Sequence, residues 1–211
     1  MSHLLPDHVV VEAYRDLRSR MIELLDDTPA HLATAPVPHC PLWTVRDLAA
    51  HMVGVPEDIL ASRMDGVTTD AWTQAQVDRH LDHSLTDLAE TWRSLIEPFD
   101  GVLPHIPSPV NSQMVMDAVT HEHDFRQAIG RPGARDSSAV TVGLGWLLDA
   151  AGDDDLTDRL RRTVPDEFHL LRVMSGRRSP EQMARLGLDV DAVMPLFVGK
   201  PLRPPTESID E

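Results

Sequence analysis

Intramolecular disulfides are excluded by composition: of 211 residues only Cys40 is a cysteine. A single thiol suits a reducing compartment, so a cytoplasmic protein is expected. Basic residues are also in short supply, with 19 Lys and Arg against 34 Asp and Glu and a formal charge of -15. Nucleic acids and anionic membrane surfaces are both bound through basic stripes, so neither partner is expected. No apolar run approaches the ~20 residues of a membrane span. The opening Met1-Ser-His-Leu-Leu-Pro6 lacks the basic and apolar regions of a signal peptide. Aromatics reach only 4 %, but an apolar fraction of 42 % is enough for a core. There is no Gly-rich phosphate loop, no nucleophile elbow and no zinc-finger spacing.

What the chain does have is helix-period patterning. Val10, Ala13, Leu17, Met21 and Leu24 recur at spacings of three and four. After the Pro-rich stretch 35–41, Thr44-Val-Arg-Asp47 reads as a capping box opening a helix with Leu48, Met52 and Val55 on one face. Pro56 either kinks this helix or starts a new one. Val77, Leu81, Leu85, Leu88, Trp92 and Leu95 predict one long helix, stopped at Pro98. Ser108-Pro109 predicts an N-cap with proline at the first helical position, and Gly130 a stop. Four amphipathic helices with no strand alternation worth naming predict an all-α four-helix bundle. Further helices are expected over Val140 to Ala150, Asp166 to Ser175 and from Ser179-Pro180-Glu181-Gln182 onward. Gly143 and Gly145 each cost the first of these about 1 kcal/mol relative to alanine. The expected organisation is a bundle over 1–135, a helical extension packed on it over 136–199, and a flexible tail over 200–211.

One stretch, Asp117-Ala-Val-Thr-His121-Glu-His123-Asp124, carries more metal-competent side chains than any other. On a helix Asp117 and His121 share a face one turn apart, with Asp124 further along the same stripe. His51 lies within an apolar stripe and supplies a third donor. A His-carboxylate-His set leaves a coordination position open, as in catalytic zinc and non-haem iron sites. The competing reading is a hydrogen-bonded core histidine and an ordinary helix-face pair. His80 and His83 fall on a face expected to be solvated. Cys40, beside His39 and between prolines, reads as a small residue in a tight loop. Glu122, His123 and Arg126 are either groups that orient the ligands or surface charges. Arg177 and Arg178 either bind an anion or complement a helix dipole.

Three segments, Cys40-Pro-Leu-Trp-Thr-Val-Arg-Asp-Leu-Ala-Ala-His51, Asp117-Ala-Val-Thr-His121-Glu-His-Asp124 and Ser175-Gly-Arg-Arg-Ser-Pro-Glu-Gln182, occur in that order. Together they resemble the mycothiol-dependent maleylpyruvate isomerase family of the DinB-like superfamily. The resemblance implies a DinB-like four-helix bundle whose divalent metal is held at the positions of His51, Asp117 and His121. Zinc is the usual ion, with Ni2+, Fe2+ or Mn2+ as alternatives. It also implies mycothiol as a thiol cosubstrate and a small electrophilic substrate, in isomerisation or S-transfer, by a monomer or homodimer. No general acid or base is assigned. The family's acid is commonly glutamate; here it is Asp117, one methylene shorter, and the region after the bundle is smaller than in the characterised isomerases. The alternative function is a non-catalytic metal-binding or small-molecule-binding bundle with a regulatory role.

Overall fold

Residues 2–210 are described by a computed structural model. They contain eleven α-helices, short 3-10 turns and one two-stranded ribbon. The chain is therefore an all-α helical bundle, as the patterning predicts. It divides into two compact units, Met1–Ala13 with Ser108–Thr120 and Gly133–Glu211, and Tyr14–Pro107 with His121–Pro132.

Helix α1 (Asp7–Asp27) buries the predicted stripe of Val10, Ala13, Leu17, Met21 and Leu24. The Pro-rich stretch forms a ribbon of β1 (Pro36–Val37) and β2 (Cys40–Thr44), antiparallel, pairing Pro36 with Thr44 and Val37 with Cys40. Helix α2 (Val45–Leu60) follows without a gap and runs through Pro56. In the second unit α2 packs against α3 (Asp70–Arg79), α4 (Leu85–Ser94) and α5 (Ile96–Val102), with the ribbon also against it. Tyr14, Leu17, Leu48, Leu88, Trp92, Phe99 and Phe125 form the centre of that unit's core.

The single long helix expected from Val77 to Leu95 is two helices. Ser84 accepts the Asp87 backbone N–H, while the Asp87 carboxylate accepts the Ser84 N–H, so a capping box restarts the chain at Leu85. An intact apolar period cannot reveal such a break. Leu81 is the casualty, half exposed, whereas His80 is buried and bonded to Glu57 rather than solvated. Pro98 does not stop a helix; it sits in the first turn of α5, where its missing N–H has no intrahelical acceptor to lose.

Helix α6 (Val110–Ala128) opens one residue later than expected. The Pro109 carbonyl accepts the Gln113 N–H at 3.0 Å, so proline flanks the helix instead of beginning it. From Asn111 to Phe125 every residue except Gln113 and Asp117 is buried. That includes Glu122, His123 and Asp124. A helix buried this completely must satisfy its polar side chains internally. Glu122, fully buried, accepts two bonds from the Arg20 guanidinium at 3.0 and 2.9 Å and two more from Arg126.

In the first unit α7 (Ser138–Ala151) packs on α9 (Glu167–Met174), which also meets α8 (Asp154–Thr163). The helix α8 lies between the two helices expected over Val140 to Ala150 and Asp166 to Ser175, and α10 (Pro180–Arg185) and α11 (Val190–Val193) follow. The Ser179/Gln182 capping box opens α10 as predicted. The segment after Phe197 has no regular structure but is laid along α10: Gln182 donates to the Ile209 carbonyl at 2.8 Å and Arg185 to Ser208 at 3.0 Å. Arg177 and Arg178 are buried in this unit, not displayed at a helix end.

The glycines of α7 have a packing reason. A Cβ on Gly143 would lie 2.8 Å from Val119 Cγ1 and 3.2 Å from the Met116 Cα, and one on Gly145 only 2.5 Å from the His3 carbonyl oxygen. Gly143→Ala therefore forces backbone apart. It should lose ~1–3 kcal/mol by overpacking despite alanine's better helix propensity, read as a lower urea midpoint.

Candidate metal centre

The site is assembled where β2 becomes α2. Thr44 ends the strand and caps the helix: its hydroxyl accepts the Asp47 N–H, and Asp47 Oδ2 accepts the Thr44 N–H at 2.9 Å and hydroxyl at 2.7 Å. This box ties Cys40 and Trp43 on the strand to His51 on the helix. Burial disfavours the charged form of Asp47, but the bonds from Thr44 and from Arg46 outweigh it, and its carboxyl is held below the usual carboxylate range.

His51 and His121 are both buried, with ring centroids 5.0 Å apart and planes at 84°. The Trp43 indole lies 5.2 Å from the first ring and 5.9 Å from the second. Asp117 stands one turn before His121 on the continuous helix α6. Of this candidate set, His51 and His121 belong to the second unit and Asp117 to the part of α6 in the first. Of the three residues singled out from spacing, His51 and His121 thus meet within the second unit.

Behind His51 runs a buried polar chain. His51 Nδ1 is 2.7 Å from Gln76 Oε1, and Gln76 Nε2 donates to Asp58 Oδ2 at 2.8 Å. A carboxylate only accepts, so the Gln76 amide is oriented with its oxygen toward the imidazole. That oxygen requires a proton on His51 Nδ1 and leaves the lone pair of the neutral ring on Nε2. Arg63 and Arg79 neutralise Asp58 through bonds of 2.7 and 2.6 Å. Next to it, burial disfavours ionised Glu57, yet His80 and Arg79 overcome this and hold its carboxyl below the ordinary range. The chain exists because Gly54, one turn after His51, has no side chain: a Cβ there would sit 2.5 Å from Gln76 Cβ.

His121 has its own support. Its Nδ1 is 3.3 Å from Asp124 Oδ2, and Asp124 is fully buried. Cys40 Sγ approaches the same oxygen at 3.8 Å. Cys40, His121 and Asp124 form a second grouping with donor atoms within 4.8 Å. Sequence reasoning set Cys40 aside because no neighbouring donor completes a site; its partners arrive from α6, which no local spacing announces. Neither grouping among the described residues includes Glu122, His123 or His80. His80 and His83 do meet, with ring centroids 4.9 Å apart, but no third donor converges on them among the described residues.

A family model described as the mycothiol maleylpyruvate isomerase N-terminal domain matches residues 14–131. The chain belongs to this family. The matched span contains every residue of both groupings and ends before α7. No curated protein and no solved structure matches the chain. Among the described residues no helix is long and apolar enough to cross a membrane.

The capping box that organises the site has a pH signature. A carboxyl held below its ordinary value stabilises the fold above the unfolded-state pKa of about 3.9, and that stabilisation is lost as the pH falls through the lower folded value. Asp47→Ala should cost roughly 1 kcal/mol at neutral pH. In urea titrations across pH the gap to wild type should narrow below about pH 4; a gap independent of pH would deny the ionised carboxylate this role.

Proposed function

We propose that this protein is a divalent-metal-dependent enzyme that activates a low-molecular-weight thiol. Mycothiol is the thiol its family points to, and the reaction class is isomerisation or S-transfer on a small electrophilic substrate. Membership of this family, with His51 and His121 ring to ring in one unit and Asp117 one helical turn before His121, is the observation that supports the reading. The donor set suits zinc, with Ni2+, Fe2+ and Mn2+ also compatible with two imidazoles and a carboxylate. When bound, the ion would lower the pKa of a coordinated thiol and favour the nucleophilic thiolate.

The chain's own residues prepare for this. Gln76 holds the proton of His51 on Nδ1 and turns Nε2 outward, while Asp124 Oδ2 lies 3.3 Å from Nδ1 of His121 as a charged neighbour. Such partners fix ring orientation and raise ligand basicity. Trp43 covers both imidazoles and limits the access of water. Asp117, not fully buried, is the member of the set that leaves the site open on one side.

Because His121 also belongs to the Cys40 grouping, the ligand test is made in a Cys40→Ala background. Zinc should bind at one equivalent per chain, and adding His51→Ala or Asp117→Ala should abolish stoichiometric binding without loss of helicity. Retained stoichiometric zinc in both would remove this ligand set. In the same background Gln76→Leu should weaken zinc 10–100-fold, the usual effect of losing a partner that orients a ligand. Turnover of a thiol with an electrophilic alkene, abolished by chelator, supports catalysis; metal binding without any such turnover points to a non-catalytic binding bundle.

A further inference from the structure

We propose that Cys40, His121 and Asp124 form a second, thiolate-containing metal site, selective for thiophilic divalent cations such as Zn2+ or Cd2+. The inference does not depend on the thiol-activation reading, since it needs neither His51 nor Asp117.

Geometry is the first argument. Bonds of 2.0–2.3 Å to nitrogen, oxygen and sulfur place the donors of a tetrahedral ion about 3.3–3.8 Å apart. The two measured edges of this grouping are 3.3 Å, from His121 Nδ1 to Asp124 Oδ2, and 3.8 Å, from that oxygen to Cys40 Sγ. Along these two edges the protein already holds the donors at the spacing a single small cation imposes, and the third pair lies within 4.8 Å. As a hydrogen bond, by contrast, the longer contact lies at the edge of what even a thiol makes.

Charge and access agree with it. A thiolate, a carboxylate and a neutral imidazole carry two negative charges, which a divalent cation balances. Asp124 is wholly buried, so a cation beside it relieves the desolvation of its ionised form. Cys40 is only half-buried and gives the ion a route in and a position open to an external ligand. The thiolate marks this site as softer than the His-Asp-His set and separates the ions each prefers.

One consequence is exclusivity. A neutral imidazole has a single lone pair. If His121 gives it through Nδ1 to the Cys40 site, it cannot also serve the His51 set through Nε2. Binding at the Cys40 site releases the thiol proton to solvent and leaves the imidazole proton on Nε2.

Metal-free protein titrated with Cd2+ tests the site through the ultraviolet thiolate-to-cadmium charge-transfer band. The band should saturate at one Cd2+ per chain, vanish in Cys40→Ala, weaken at least tenfold in affinity in Asp124→Asn, and persist in His51→Ala. No band in wild type overturns the proposal. An unchanged affinity in folded Asp124→Asn also overturns it, since that result describes an adventitious thiol. Loss of the band in His51→Ala would merge Cys40 into the other set and overturn a separate site. Should Asp124→Asn fail to fold by circular dichroism, the cadmium NMR shift of wild type decides: one sulfur with nitrogen and oxygen donors supports the site, and any other set overturns it.

Discussion

Everything near the centre of this molecule is conditioned by one requirement: α6 is buried nearly all round while carrying Glu122, His123 and Asp124. Charged groups out of water must be paired or they do not stay charged. The fold answers by bringing guanidinium and thiol groups to that helix from α1 and β2. Arg20 reaches Glu122 from α1, and Cys40 reaches Asp124 from β2. The same logic recurs one layer away, where two arginines compensate the buried Asp58 that anchors Gln76. Polar partners and the Trp43 indole together face the two histidines.

The family match and the donor geometry bear on different halves of the problem. Membership rests on residues 14–131, which include the ribbon, α2 and the site-bearing turns of α6. The helices from α7 onward lie beyond it. They build their unit by close backbone approach at Gly143 and Gly145, a device whose purpose lies in packing and not in chemistry.

How much of this was legible beforehand depended on the range of the interaction. The capping boxes at Thr44 and Ser179 are local, with both partners within four residues, and each opens a helix where the pattern says. The approach of His51 to His121 was legible because His51 interrupts an apolar stripe and His121 lies in the donor-rich stretch of α6. Three things were not. The break at Ser84 hides inside an unbroken heptad-like period, where a cap competes with propagation and wins. Cys40 looked isolated because its partners come from a helix some eighty residues later, a separation set by topology and not by pattern. Nothing in the local sequence marks Gln76; only the absence of a side chain at Gly54 explains how it becomes fully buried.

That small gap at Gly54 has a dynamic meaning. Because α3 can settle against α2 there, the rotamer and tautomer of His51 are selected when the helices dock, before any ligand arrives. The entropy of ordering that imidazole is then charged to folding and not to association, so an incoming group meets a lone pair already aimed. Any group received there would be discriminated by shape more than by adaptation, at a speed governed by access and desolvation more than by rearrangement.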